Sequence, residues 1–273
     1  MSLTIHDLVA RKESGPPITM LTAYDHPTAV ALDECGIDVL LVGDSVGTNV
    51  LGYKSEQEVT VDDMVHHARA VRRGTQNAFV LVDLPYASYK TPEQAVQTAI
   101  RLRDAGADGV KLEGSFPETI QAIRNLGIPV CNHLGLMPQT QTAASVQGKT
   151  FSAAKELVEQ CVESEAAGSQ MLVLELVPRQ LAKIVTDRVG IPTIGIGAGA
   201  ATTGQVLVIN DLLGITSRAI RHTARYAEFG KEIRSAVARY RTVVQNGEFP
   251  EASNSSSMPS AELALLQEWL SRI

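Results

Sequence analysis

Short apolar runs that stop at an acidic residue are the feature of this sequence that most restricts its fold. The four acids concerned are Asp44 after Val39 to Val42, Asp83 after Phe79 to Val82, Glu113 after Val110 to Leu112, and Glu175 after Met171 to Leu174. A short apolar run between turn residues is typical of a buried parallel strand. In a barrel of such strands the C-terminal ends meet at one mouth, so the four carboxylates are predicted to converge.

The order of segments predicts an α/β protein, a (β/α)8 TIM barrel with a C-terminal helical extension. The 273 residues match a single barrel of roughly 250 residues. Helical segments fill the gaps between strands, and two begin with an N-cap threonine, Thr60 and Thr91. The predicted strands are 18–21, 39–42, 79–82, 109–112, 129–132, 171–174, 193–196 and 205–208. The glycines of 195–199 lack dinucleotide-binding spacing and are interpreted as a tight strand-to-helix turn.

The predicted domain organisation is a catalytic barrel at 1–250, a linker at 251–260 that is rich in Ser, Pro and Asn, and a C-terminal helix at 261–273. The apolar residues of that helix recur at helical spacing beside Trp269. They are Leu263, Leu266, Leu270 and Ile273. The resulting stripe either docks on its own domain or bridges subunits.

Charge and cysteine content exclude several classes of protein. The 24 basic and 30 acidic residues give a net charge of -6 without a basic stripe, so we expect no nucleic acid and no membrane as partner. Three cysteines without a C-x-x-C pair predict buried thiols in a reducing compartment. No signal peptide or spanning run is recognisable, and a cytoplasmic location is expected.

Two of the acids suggest a metal site. Asp44 and Asp83 have no nearby cysteine or histidine pair, which favours a hard cation such as Mg²⁺ over zinc. Alternatively, each aspartate caps the helix or turn that follows it.

Three further residues are predicted to face the mouth. Lys111 and Glu113 are two positions apart on one strand and therefore share a face, either as a functional pair or as a satisfied ion pair. His133 also ends a strand and is predicted to contact substrate oxygens, the alternative being a core histidine. The polar segment 139–148 after it is either a loop over the mouth or an ordinary surface connection.

Glu175 is the predicted general base. It ends an apolar run and precedes Leu176-Val177-Pro178, so partial desolvation is expected to raise its pKa toward neutrality. The alternative is a helix-entry carboxylate.

The sequence resembles the ketopantoate hydroxymethyltransferase family from about residue 5 to 250. Seven blocks in family order carry the resemblance: 20–25, 41–47, 83–85, 110–114, 133–139, 172–178, and 191–199 followed by 204–208. The resemblance implies transfer of a one-carbon unit from 5,10-methylenetetrahydrofolate to 3-methyl-2-oxobutanoate, giving 2-dehydropantoate and tetrahydrofolate in pantothenate biosynthesis. It also implies a homodecamer.

The family's site residues carry over to matching positions. The resemblance implies that Asp44 and Asp83 hold Mg²⁺ and chelated substrate, and that Glu113 orients a metal-bound water. Lys111, His133 and Ser45 would contact substrate oxygens, and Glu175 would remove the C3 proton to form a Mg²⁺-stabilised enolate.

The sequence departs from the family pattern at Asn132, Met137, Thr203 and the Trp269 helix. Two other functions are alternatives for this sequence. One is a Mg²⁺-dependent carbon-carbon lyase of the phosphoenolpyruvate mutase and isocitrate lyase type, which would need a catalytic cysteine or a phosphate-binding set. The other is a non-catalytic protein that binds a keto acid.

Overall fold

The short apolar runs form a closed barrel. The computed structural model describes residues 2–141, 145–216 and 223–273, and in these ranges eight parallel strands pair in chain order, with β1 also pairing β8. The strands are β1 (Ile18–Thr22), β2 (Val39–Val42), β3 (Phe79–Asp83), β4 (Gly109–Glu113), β5 (Val130–Gly135), β6 (Met171–Glu175), β7 (Thr193–Ile196) and β8 (Gly204–Leu207). The predicted TIM barrel is therefore confirmed.

Helices connect most of the strands and cover the outside of the barrel. They are α1 (Ile5–Ala10), α2 (His26–Glu34), α3 (Val61–Gly74), α4 (Pro92–Asp104), α5 (Pro117–Arg124), α6 (Phe151–Ala166), α7 (Arg179–Arg188) and α8 (Ile209–Leu212). Thr60 and Thr91 cap α3 and α4 as predicted, because each side chain accepts a backbone N–H three residues later. Within the described ranges, no helix is long and apolar enough to cross a membrane.

The barrel interior and the layer between strands and helices form separate parts of the core. Side chains alternate along each strand, so one set points inward and the next packs under the helices. The inward set includes Leu81, Cys131, Met171, Val173 and Ile194. The same alternation turns the last residues of β3, β4 and β6 toward the axis of the barrel.

Two sequence predictions are wrong. Between Ile196 and Gly204 the chain forms turns and no helix, so the glycines of 195–199 make a strand-to-strand connection. Gly197 and Gly199 have positive φ values of 63° and 85°, which turn the chain back at once and leave no room for helical residues. Cys131 and Cys161 are buried free thiols, but Cys35 is exposed because it lies at the C-terminal end of α2.

The chain divides into two compact units, residues 1–226 and 227–273. The second unit contains α9 (Phe229–Gln245) and α10 (Ser260–Leu270). Its apolar side chains are exposed, including Ile233, Val237 and Tyr240 on α9 and Leu266 and Trp269 on α10. The division at residues 250 and 260 stays a prediction.

Candidate active site

The four strand-end acids lie around one cavity of about 750 Å³. Asp83, Glu113 and Glu175 are the last residues of β3, β4 and β6, and Asp44 follows β2 by two residues. Ser45, Lys111 and His133 line the same cavity. The sequence-predicted site residues therefore lie together at the C-terminal mouth of the barrel.

Strand register explains how the charges meet. Asp83 pairs in register with Lys111 across β3 and β4, and Glu113 pairs with His133 across β4 and β5. The inward side chains of registered neighbours lie side by side, so each acid receives a basic partner. Glu175 pairs in register with Gly135, whose missing side chain lets the two backbones approach closely.

The two aspartates and Lys111 form the most buried charged group. Asp44 donates its backbone N–H to Asp83 Oδ2 at 3.1 Å. Lys111 Nζ lies 2.9 Å from Asp83 Oδ1, with side-chain exposures of 5% and 2%. Lys111 is the charged partner of Asp83 Oδ1, and this oxygen accepts no further hydrogen bond within the described residues. A buried carboxylate oxygen that has one ion pair and no second donor keeps a lone pair for a cation.

This group contains two carboxylates, Asp44 and Asp83, and one cation, Lys111. Its positive charge therefore does not balance two ionised aspartates. Burial and then the neighbouring Asp83 raise the pKa of Asp44 well above its ordinary value. Burial also raises the pKa of Asp83. Burial alone lowers the pKa of Lys111, but Asp83, Glu113 and Asp44 outweigh it and the pKa is raised. Lys111 therefore carries a positive charge, and a second cation beside it would favour the ionised form of both aspartates.

Two carboxylates fit Mg²⁺ better than a metal with many protein ligands. In the part of the chain that the structure describes, no group of three or more His, Cys, Asp or Glu side chains is arranged to hold a metal. Mg²⁺ commonly takes one or two protein carboxylates and completes its octahedron with water and substrate oxygens. Asp83 Oδ1, which has Lys111 but no other partner among the described residues, and the raised pKa of Asp44 fit that mode of binding.

His133 lies between two glutamates. Its Nδ1 is 3.3 Å from Glu113 Oε1 and its Nε2 is 3.3 Å from Glu175 Oε2. Burial and Lys111 oppose protonation of the ring, but Glu113 and Glu175 overcome them and raise the pKa of His133 to about 9. Burial opposes ionisation of Glu113 as well, yet contact with His133 lowers the pKa of Glu113. The ring is thus an imidazolium near pH 7, able to donate from both nitrogens.

Glu175 is the most accessible of the strand-end glutamates, with 16% of its side chain exposed against 2% for Glu113. Unusual backbone conformations fix its position. Leu176 has a φ of 46°, and its N–H donates to Ile196 O at 2.9 Å. Gly135 has a φ of 100°, and a Cβ there would lie 2.2 Å from Glu175 O. The carboxylate is therefore held at the cavity wall within reach of a ligand.

Two residues of the site were not predicted as site residues. Tyr24 OH lies 2.9 Å from Ser45 Oγ, and the tyrosine is buried. Gln139 donates to Asp44 Oδ2 at 2.6 Å and, through its backbone, to Glu113 Oε2 at 3.0 Å. Both are uncharged polar residues without a periodic pattern, and their membership of quoted family blocks was the only available signal. The predicted loop 139–148 begins at Gln139, and its residues 142–144 lie outside the described residues.

The departures from the family pattern lie outside the charged cluster. Asn132 points outward from β5 and donates to Ser164 Oγ at 2.6 Å. Met137 lines a separate cavity of about 280 Å³ with Tyr86 and Phe116. Thr203 precedes β8 and exchanges hydrogen bonds with Thr193 at the opposite end of the barrel. None of the three replaces a predicted site residue.

Comparison with known proteins shows the family to which this chain is similar. The family model described as ketopantoate hydroxymethyltransferase matches residues 2–252. A 3-methyl-2-oxobutanoate hydroxymethyltransferase of Chloroflexus aurantiacus is 47% identical over 97% of this chain and 96% of its own. One from Syntrophus aciditrophicus is 49% identical over 89% of this chain and 93% of its own.

Solved structures with low identity share the fold. Phosphoenolpyruvate phosphomutase from Streptomyces platensis subsp. rosaceus superposes with a TM-score of 0.61 at 14% identity, over 99% of this chain and 98% of its own. Phosphonopyruvate hydrolase in complex with oxalate and Mg²⁺ superposes with a TM-score of 0.59 at 12% identity, over 99% of this chain and 97% of its own. These similarities show the fold alone. The family model and the relatives at nearly half identity establish that the chain belongs to the ketopantoate hydroxymethyltransferase family.

Proposed function

We propose that this chain transfers a hydroxymethyl group from 5,10-methylenetetrahydrofolate to 3-methyl-2-oxobutanoate, giving 2-dehydropantoate and tetrahydrofolate. In the net reaction the C3–H bond of the keto acid breaks, and so do the two C–N bonds that hold the methylene carbon to the folate. A C3–C bond and a C–O bond to that carbon form, and the two freed folate nitrogens take up hydrogen. Water supplies the new hydroxyl oxygen and two hydrogens. One observation carries the proposal. Asp44 and Asp83, a buried pair of carboxylates, line the same cavity as Glu175, whose side chain is accessible.

The aspartate pair has the role of a cation site. Asp44 and Asp83 would hold Mg²⁺, and Glu113 would orient a water of its shell. When bound, Mg²⁺ would supply a Lewis acid that stabilises negative charge developing on the keto acid. The relation to phosphonopyruvate hydrolase, whose structure contains oxalate and Mg²⁺, supports this assignment because oxalate and a 2-keto acid both present adjacent oxygens.

The basic residues bind and orient the substrate. Lys111 is a buried cation, so it attracts the substrate carboxylate or keto oxygen in a site where charge is weakly screened. His133 donates from an imidazolium, and the Ser45 hydroxyl beside Tyr24 offers a further donor. Together they stabilise the enolate as the proton leaves C3.

Glu175 accepts the C3 proton. A proton beside a ketone is weakly acidic, and removal at neutral pH requires a base within contact distance together with stabilisation of the enolate. Glu175 lies at the cavity wall and adjoins His133, so the base and a group that stabilises the enolate are neighbours. The carbanionic C3 then forms the bond to the folate-borne carbon.

A lyase with a catalytic cysteine has less support. The cavity-lining residues that the structure describes include no cysteine. Cys131 packs inside the barrel, Cys161 lies on the buried face of α6, and Cys35 is exposed. A protein that only binds keto acids would not need Glu175 beside the reacting carbon. Assembly as a homo-oligomer, a homodecamer by resemblance, is part of the proposal and is supported by the exposed apolar side chains of α9 and α10.

Proton NMR of 3-methyl-2-oxobutanoate mixed with the protein, MgCl₂ and 5,10-methylenetetrahydrofolate tests the proposed function. We expect signals of 2-dehydropantoate, which disappear when EDTA is added or when the folate is omitted. Absence of product in the full mixture, with a folded protein that binds the keto acid, would overturn the proposed transfer.

A further inference from the structure

Gln139 lies at the centre of the carboxylate cluster although it carries no charge. It follows β5 by four residues, and its relative exposure is 0%. A buried amide must satisfy two N–H donors and an oxygen acceptor. Nε2 donates to Asp44 Oδ2 at 2.6 Å and to Leu84 O at 3.0 Å, and Oε1 accepts from the Tyr89 hydroxyl.

These partners fix the orientation of the amide. A flipped amide would place its oxygen against the Asp44 carboxylate and the Leu84 carbonyl, which are both acceptors. It would also lose the hydrogen bond from Tyr89, whose hydroxyl is buried and has its pKa raised by that burial. Only one orientation satisfies all three partners, so the Nε2 group is held against Asp44.

The main chain of Gln139 makes a second set of contacts. Its N–H donates to Glu113 Oε2 at 3.0 Å, and its carbonyl accepts from Gln57 Nε2 at 2.9 Å. The same residue therefore occupies one oxygen of Asp44 and one oxygen of Glu113. These carboxylates come from different strands, β2 and β4, and Gln139 connects them across the mouth.

We propose that Gln139 is a positioning residue for this reaction, which directs Asp44 Oδ1 toward the cation and Glu113 Oε1 toward His133. The inference rests on the proposed function, in which Asp44 holds Mg²⁺. Hydrogen bonds to a carboxylate are charge-assisted, so they restrict its rotamer more strongly than neutral ones do. Groups that orient a metal ligand in this way typically change metal affinity by about 10- to 100-fold when they are removed.

A purely structural role would give a different pattern of effects. Gln139 joins the loops after β2, β3 and β5, so its loss could lower the melting temperature of the protein. A structural tie leaves the Mg²⁺ affinity and the turnover of the remaining folded protein unchanged. Metal affinity therefore distinguishes positioning from structural support.

The main test is Gln139→Met in the full chain, a change that keeps side-chain length and removes both donors. Titration calorimetry with MgCl₂ should show an affinity about 10- to 100-fold weaker than that of the parent. In turnover assays the variant should need correspondingly more Mg²⁺, with kcat recovering toward the parental value at saturation and KM for the keto acid raised at low Mg²⁺.

The matched control is Gln141→Met in the same loop. The Gln141 side-chain oxygen has no hydrogen-bond partner within the described residues. The same chemical change there should leave Mg²⁺ affinity within about twofold of the parent.

Tyr89→Phe provides a second route that does not depend on the first variant folding. It removes the hydroxyl that fixes the Gln139 amide, and it should weaken Mg²⁺ binding by about threefold. Because Tyr89 acts through Gln139, the double variant should match Gln139→Met within about twofold. If the losses of Mg²⁺ affinity in the two single variants add up in the double variant, Tyr89 does not act through Gln139. That result would contradict the inference.

The outcomes separate this inference from the proposed function. Parental Mg²⁺ affinity in folded Gln139→Met would overturn the positioning role and leave the metal site intact. Should Gln139→Met fail to fold, parental affinity in Tyr89→Phe would overturn the role in the same way. A parent protein that binds no Mg²⁺ would overturn the metal assignment and the role of Gln139 together.

Discussion

Buried acids occur at both ends of the barrel, and the two groups differ in how their oxygens are satisfied. At the end where the strands begin, Asp33 accepts from the backbone N–H groups of Gln76, Asn77 and Ala78 at 2.8 to 3.1 Å. Burial opposes its ionisation, but these hydrogen bonds outweigh burial and lower the pKa of Asp33. At the mouth, burial and Asp83 raise the pKa of Asp44 instead.

Asp38 and Asp108 lie at the same end of the barrel as Asp33, which we call the closed end, and they also have donors of their own. Asp38 pairs with Arg11 at 2.7 Å, and Asp108 accepts from Val80 N–H at 2.8 Å and from Arg72 at 3.0 Å. Each has donors of its own, whereas the mouth acids share Lys111, His133 and Gln139, and within the described residues Asp83 Oδ1 has Lys111 as its one partner. We infer from this difference that the acids where the strands begin stabilise the fold and that the acids at the mouth can take up ligands.

The largest effect is expected at the mouth. Asp44→Asn should reduce turnover by roughly 10²-fold or more, since a cation ligand is lost. Its free energy of unfolding should not decrease, because the change removes a carboxylate whose ionisation burial and Asp83 disfavour. Product formation measures the turnover, and chemical denaturation of the Mg²⁺-free protein measures the free energy of unfolding. A large loss of stability would show that Asp44 resembles the acids of the closed end.

Asp33→Ala should give the opposite pattern. Three backbone N–H groups and Asn77 Nδ2 lose their acceptor, so the free energy of unfolding should fall by about 3 kcal/mol. Turnover per folded molecule should stay within twofold of the parent, since the site is at the other end. Reduced kcat with unchanged stability would break the comparison.

Acid denaturation sharpens the same contrast. The pKa of Asp33 is lowered in the folded protein, so its stabilising contribution is fully present above the unfolded pKa of roughly 4. That contribution is lost as the pH falls below this value. Denaturation followed between pH 6 and pH 2 should therefore show a shallower loss of stability for Asp33→Asn than for the parent. Parallel curves would mean that Asp33 does not titrate differently on folding.

The smallest effect on the barrel is expected from deletion of the chain from Ser257 onward. Leu266 and Trp269 are exposed on α10, which fits a surface that another subunit covers. Sedimentation velocity should show loss of assembly, with a melting temperature within a few degrees of the parent. An unchanged assembly with a clearly lower melting temperature would favour docking of the helix on its own subunit.

Strands and strand-end acids could be predicted from the sequence because both depend on local pattern. An apolar run fixes the strand, and the alternation of side chains then places Asp83, Glu113 and Glu175 inward. The pairing of neighbouring strands in the closed barrel sets the register between β3 and β4. This register places Lys111 beside Asp83. The roles of these residues stay proposals.

Features that depend on tertiary packing could not be predicted. Gln139 is recognisable only from its partners on the loops after β2 and β3, since a lone glutamine in a polar segment has no periodicity. The expected helix after β7 was wrong because the chain turns back within the glycines of 195–199. Cys35 was expected to be buried, but its position at a helix end exposes the thiol.

The most direct test of the account is deuterium exchange at C3 of 3-methyl-2-oxobutanoate by Glu175→Gln, measured by NMR with and without the folate. The variant keeps the size of the side chain and removes the basic carboxylate. Substrate and Mg²⁺ should still bind, while exchange and product formation fall together by roughly 10²-fold or more. Exchange at the parental rate with no product would contradict the account, because the base would then be another residue at the mouth and Glu175 would act after enolisation.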